Sequence, residues 1–210
     1  MTLPYAEVLA EIERSQARLE SAVADLSDEQ ARGGSLLPGW SRGHVVTHLA
    51  RNADALNRFA IGVLSGTQAE MYPGGREARG AAIEEGADRP VELLAADLRF
   101  AGRRVIESLR RIGPDQLDTP VLWRKPVTAR DVPVLRWCEL EIHHLDLGTG
   151  YAALNWPGAF VESILDRDLP ELADAAPDVA VPDLPRAELL AWLVGRPTRA
   201  GLPELPAWPF

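Results

Sequence analysis

RWCELEIHHLDLGTGY, residues 136–151, reads as the second half of a helix and its stop. The helix starts around Thr128–Pro133, carries Trp137, Leu140 and Leu145 on its apolar side, and ends at Gly148-Thr149-Gly150, because successive glycines leave the backbone too free to stay helical. Residues four apart on a helix share a face. Glu139 and His143 are so spaced, and Asp146 continues their line. One stripe therefore offers a carboxylate, an imidazole and a second carboxylate.

Working toward the N-terminus, the other two histidines also fall in one window, His44 and His48. They lie on a helix that starts at Ser41, a side chain suited to capping the first free N–H groups. That helix keeps its period through Val45, Leu49, Leu56, Ala60 and Val63 and ends near Ser65-Gly66. A further helix spans about residues 4–26, with Val8, Leu9, Ile12, Leu19, Val23 and Leu26 on one face. Ser27-Asp28-Glu29-Gln30 is a start signal for one short turn. Another helix follows Asp88, with Pro90 in its first turn and Leu94, Leu98, Val105 and Leu109 inward, and Gly113-Pro114 ends it.

Four such helices predict an all-α protein built on a four-helix bundle. Residues 66–89, rich in Gly, Glu and Arg, read as a long excursion with one helical turn, and a loop of that length is often functional. After Tyr151 prolines recur from Pro157 to Pro209. Two short helices, about 158–168 and 186–194, are expected there. The division predicted is a bundle over 1–153 and a short appendage over 154–210, with no internal repeat.

Bulk properties exclude several classes of function. The 210 residues carry a net charge of −9, which disfavours a nucleic-acid backbone, since phosphate binding needs a basic surface. A small anion is still admissible, because a few arginines in a cleft can outweigh the global field. The single cysteine, Cys138, allows no internal disulfide. It follows Trp137 and precedes Glu139, so it should face the core. The N-terminus lacks the basic start and apolar run of a signal peptide, and no stretch approaches the roughly 18 apolar residues of a membrane span. A cytoplasmic protein, monomeric or a small homo-oligomer, is the expectation.

If the two histidine helices are neighbours, His48 can join Glu139 and His143 in a His₂Glu set. Such a set suits a divalent ion, zinc first, and leaves a fourth position open for chemistry. Spacing alone does not decide this. Glu141 and His144 form a rival pair, His44 and His48 can chelate together, and all four histidines can be satisfied in the core. Trp40 and Trp137 read as core anchors. Arg51, Asn52 and Asp54 lie one turn beyond His48, where they either line a pocket or face solvent.

Three stretches resemble the mycothiol-dependent maleylpyruvate isomerase family of the DinB-like metal-binding bundles: LPGWSRGHVVTHLARNADAL (37–56), MYPGGREARGAAIEEGADRP (71–90) and RWCELEIHHLDLGTGY (136–151). The tail LLAWLVGRPTRAGLPELPAWP (189–209) is similar to that family's C-terminal end. The resemblance implies His48, Glu139 and His143 as metal ligands, and Asp146 and Arg196 as residues of the reaction. It implies a divalent metal and mycothiol as cofactors, a thiol and a small anionic substrate as partners, and cis–trans isomerisation of a maleylpyruvate-like keto acid. A mycothiol transferase and a non-catalytic metal-binding module are the alternatives. Arg51, Asn52 and Arg76 are the expected cofactor-binding residues. Tyr72, Arg76 and Arg79 stand in the 66–89 excursion, where they would cover the cleft or hold the cofactor. The family's C-terminal domain carries strands, so the region between Pro157 and Arg186 reads as shortened.

Overall fold

The computed structural model describes residues 3–123 and 125–206. Eight α-helices occur among them: α1 Tyr5–Ala24, α2 Asp28–Arg32, α3 Arg42–Ser65, α4 Gly75–Ala87, α5 Val91–Arg110, α6 Val132–Asp146, α7 Gly158–Ala175 and α8 Arg186–Leu193. A two-residue hairpin, β1 Pro120–Val121 paired antiparallel with β2 Val127–Thr128, precedes α6. The chain divides into two compact units, Pro4–Thr149 and a second that runs from Gly150 onward.

In the first unit α1, α5, α3 and α6 pack in a closed ring, each against the next. This is the all-α bundle that the four apolar stripes predict. Its core holds Ile12 and Leu19 of α1, Leu49 and Leu56 of α3, Leu98 and Leu109 of α5, and Trp137 and Leu140 of α6, all buried. Burying each such side chain is worth about 1.5–3 kcal/mol. Local signals set the ends. Ser41 accepts from the His44 N–H and closes a capping box on α3, and Gly66 ends that helix at φ 69°, a conformation that favours glycine. The Tyr5 hydroxyl donates to the Leu109 carbonyl at 2.9 Å, tying α1 to α5.

The 66–89 excursion differs from expectation. It contains a full 13-residue helix, α4, packed on α3. The sequence GREARGAAIEEGA has only a narrow apolar stripe, and three glycines lower its intrinsic helicity. Close approach replaces that stripe. A Cβ at Gly43 of α3 would lie 2.0 Å from the Ala87 carbonyl oxygen, and one at Gly86 of α4 would lie 2.4 Å from Thr47 Cγ2. Missing side chains on both helices let the backbones meet.

In the second unit α7 packs on α8. Helix α7 runs seven residues past the expected end at 168 and contains Pro170. Its inward face, Val161, Ile164, Leu165, Asp168 and Leu172, continues unbroken across the proline. That burial outweighs the cost of one missing N–H. No strand occurs in this unit among the described residues. Residues 207–209 of the tail stretch lie outside them.

Candidate metal centre

His48 on α3 and Glu139 and His143 on α6 meet inside the bundle wall, and one ligand atom from each lies within 4.8 Å of the other two. His48 Nε2 is 2.9 Å from Glu139 Oε2, and His143 Nε2 is 3.4 Å from the same oxygen. The imidazole rings stand edge to face, 4.6 Å between centroids. Metal–ligand bonds near 2.1 Å at tetrahedral angles put donor atoms roughly 3.4 Å apart. The donor set and its separations therefore fit a divalent ion.

Outer contacts fix these three side chains. Asp146 is buried, and its Oδ2 lies 2.8 Å from His143 Nδ1. This carboxylate on the distal ring nitrogen orients an imidazole whose other nitrogen is left for a metal. Burial alone would raise the Glu139 pKa, but hydrogen bonds from both histidines hold it well below the usual carboxylate range. Burial would lower the His143 pKa, but the Asp146 and Glu139 carboxylates outweigh it and the net shift is upward. At His48 burial wins over Glu139 and the shift is downward. The Arg79 guanidinium donates to His48 Nδ1 at 2.9 Å, and its carbon stands 5.5 Å from the centre of the Tyr72 ring.

The rival assignments come apart on the helix faces. Glu141 points toward α1, where it accepts from Ser15 and, at 2.6 Å, from Arg18. His144 is buried on that side as well, and burial lowers its pKa to about 4. His44 sits in the Ser41 capping box, with Nε2 3.2 Å from Glu84 Oε2. Trp137 is the buried anchor expected, and its Nε1 donates to Ser15. Trp40 is instead half-buried, 5.6 Å from the His48 ring and 6.2 Å from the His44 ring between centroids.

The other expected site residues are spread more widely. Asn52 is buried one turn from His48 and accepts from Arg136. Arg51 bridges Asp54 and Asp97 between α3 and α5. Arg76 is exposed on α4. Arg196 belongs to the second unit, where its Nη1 donates to the Val194 carbonyl at 3.0 Å.

Sequence reasoning missed Arg136, which is fully buried three residues before Glu139 and donates to the Leu49 carbonyl, Asn52 and Gln16. Burial lowers its pKa to about 10, so it is still charged at neutral pH. Nothing in the pattern flags it, because arginine in an amphipathic helix is read as solvated.

Comparison with known proteins places this geometry. The family described as mycothiol maleylpyruvate isomerase N-terminal domain matches residues 12–148. The chain belongs to that family. Its members are enzymes, and this chain is an enzyme of that kind. The crystal structure of a mycothiol-dependent maleylpyruvate isomerase superposes with a TM-score of 0.86 at 22% identity, over 99% of this chain and 100% of that one. A mutant of a mycothiol-dependent maleylpyruvate isomerase gives 0.85, also at 22% identity and with the same coverage. These likenesses show the fold. The whole length of both neighbours is matched, so the shortening expected between residues 157 and 186 is not seen against them. No curated protein matches the chain.

Proposed function

We propose that the protein is a metal- and mycothiol-dependent isomerase of maleylpyruvate-like unsaturated keto acids. The observation that carries this reading is the convergence of His48 Nε2, Glu139 Oε2 and His143 Nε2 within 4.8 Å of one another. Three protein ligands leave an open coordination position, the arrangement of a catalytic rather than a structural zinc site.

His48, Glu139 and His143 hold the ion, with zinc the first choice for this donor set. An ion held by these three side chains would supply the stabilisation that keeps a coordinated sulfur as thiolate at neutral pH, where a free thiol of pKa near 8.5 is mostly protonated. The thiol, when bound, supplies a nucleophile that adds reversibly to an activated double bond, so that rotation becomes possible and the thiol is returned. No electron transfer is needed, which suits a redox-silent ion.

The chain's own side chains do the rest. Asp146 holds His143 in the orientation that directs Nε2 at the ion. Trp40 stands beside the His48 ring and keeps water from that side. Arg76, exposed on α4, is the side chain placed to contact the thiol cofactor, while Asn52 is buried against Arg136 and acts by holding α3 beside the site. Arg51 acts from its ion pairs with Asp54 and Asp97 by fixing the helix that carries His48 and Asn52.

The test is turnover of maleylpyruvate by zinc-loaded protein with mycothiol at a small fraction of the substrate concentration. Complete conversion to the trans isomer with the thiol recovered supports the reading. Thiol consumed one for one with substrate makes the protein a transferase. Bound zinc and mycothiol with no conversion at all would make it a binding module.

A further inference from the structure

Among the described residues, Arg79 is the arginine hydrogen-bonded to the cluster of His48, Glu139 and His143. It sits on α4, within the excursion expected to hold only one helical turn, and is half-buried. Among the described residues no carboxylate oxygen pairs with it. Its contacts are His48 Nδ1 at 2.9 Å and the Tyr72 ring, whose centre lies 5.5 Å from the guanidinium carbon. Three other arginines on this side of the bundle pair with acids. Arg51 and Arg89 share Asp97, and Arg104 holds Asp54. A buried guanidinium can be satisfied by neutral oxygens, as Arg136 is by the Leu49 carbonyl, Asn52 and Gln16, but Arg79 has a single ring nitrogen as acceptor, so an arriving anion would gain its charge-assisted bonds.

Electrostatics names the anion's place. A dication held by the single carboxylate of Glu139 leaves one net positive charge, and a thiolate cancels it. Arg79 is then a second positive charge beside the site, with no carboxylate paired to it among the described residues. Its present partner is also a poor one for the loaded state. An ion on Nε2 leaves the ring's N–H on Nδ1, and that N–H faces another donor. The fork is then free to turn to an acceptor, and the planar carboxylate matches it in two parallel hydrogen bonds.

We propose that Arg79 is a substrate-binding residue that receives a carboxylate of the anionic substrate at the metal centre, with Tyr72 holding the guanidinium in place. The Tyr72 ring centre lies 5.5 Å from the guanidinium carbon, within cation–π range. The helix that carries Arg79 is pinned by the Gly43 and Gly86 contacts, so the fork is presented from a rigid element. This rests on the isomerase reading for the identity of the substrate. A substrate with two carboxylates leaves the second for another cation.

The experiment uses maleate, a cis dicarboxylate that lacks the keto group, titrated calorimetrically into zinc-loaded wild type, Arg79→Gln and Arg79→Lys, with metal content measured on each sample. Arg79→Gln is expected to keep its zinc and bind maleate about tenfold to a hundredfold more weakly, the loss of a charge-assisted pair. Arg79→Lys keeps the charge without the fork and should fall between, with an affinity that drops as salt rises. In turnover the Gln variant should raise KM far more than it lowers kcat. Unchanged maleate affinity in Arg79→Gln overturns the proposal, as does parallel loss of zinc and maleate in both variants, which would make Arg79 an orienter of His48 only. If Arg79→Gln does not fold, unchanged affinity in Arg79→Lys overturns it equally. The two readings separate cleanly. Wild type that binds maleate through Arg79 yet leaves maleylpyruvate untouched removes the isomerase and keeps the site, and normal turnover with unchanged KM in the variant does the reverse.

Discussion

Nη1 of Arg136 donates to Oδ1 of Asn52 at 3.0 Å, where neither side chain reaches solvent (0% and 1% exposed). The bond joins α6 to α3 one turn from Glu139 on the first helix and one turn from His48 on the second. The same guanidinium also holds the Leu49 carbonyl and Gln16 of α1. Three walls of the bundle are thereby fastened beneath the cluster of His48, Glu139 and His143. Arg136→Ala removes the donor and leaves three buried acceptors and a cavity. We expect a loss of about 3–5 kcal/mol in unfolding free energy, read from denaturant melts. A loss below about 1 kcal/mol would show that the fastening is unimportant.

The ligand assignment makes a prediction that discriminates among the four histidines. Wild type should carry about one divalent ion per chain, and His48→Ala and His143→Ala should carry none after dialysis. His44→Ala loses a capping contact and should keep the ion. Asp146→Asn should lower metal affinity by about 10- to 100-fold, as outer contacts to a ligating imidazole do. Full metal retention by His48→Ala, measured by elemental analysis, would falsify the assignment.

The α3–α4 contact depends on two absent side chains. Gly43→Ala puts a Cβ against a backbone oxygen that cannot rotate away. It should cost about 1–3 kcal/mol through overpacking. It should also shift α4, and Arg79 with it. Amide hydrogen exchange should then rise over residues 75–87 and leave α1 unchanged. Uniform exchange across all helices would point to general loosening instead.

Burial raises the Tyr5 pKa from 10.0 to about 12, and its hydroxyl donates to Leu109. A folded pKa above the unfolded one means that the folded state keeps the proton longer. The stabilisation is complete below pH 10 and is lost as pH rises from about 10 toward 12. Tyr5→Phe should cost about 1 kcal/mol at neutral pH for the lost hydrogen bond. It should also flatten that alkaline decline, followed by melts at increasing pH. An equally steep decline in the variant would place its origin elsewhere.

Much of the molecule was legible in its residues. The four bundle helices are where their apolar periods predict, and Ser41, Pro90 and Gly66 mark their ends. The stripe of Glu139, His143 and Asp146 follows from helix geometry alone. The rivalry between His143 and His144 did not. The two are adjacent in sequence and about 100° apart on the helix, so only the neighbours of α6 tell which side faces α3. Helix α4 escaped notice because its packing rests on glycines, and a missing Cβ carries no periodic signal. Arg136 and Arg79 were unreadable for a related reason. An arginine's role depends on what surrounds it, and its surroundings come from other helices.

The sequence by itself determined an all-α bundle and a set of residues able to bind a metal, because helical periodicity and i, i+4 spacing are local properties of the chain. The tertiary structure alone decided which imidazole joins Glu139, which arginines are buried or paired with acids, and that the Arg79 guanidinium stands against His48. Those facts depend on distances between segments far apart in sequence, and only the packing of the helices sets them.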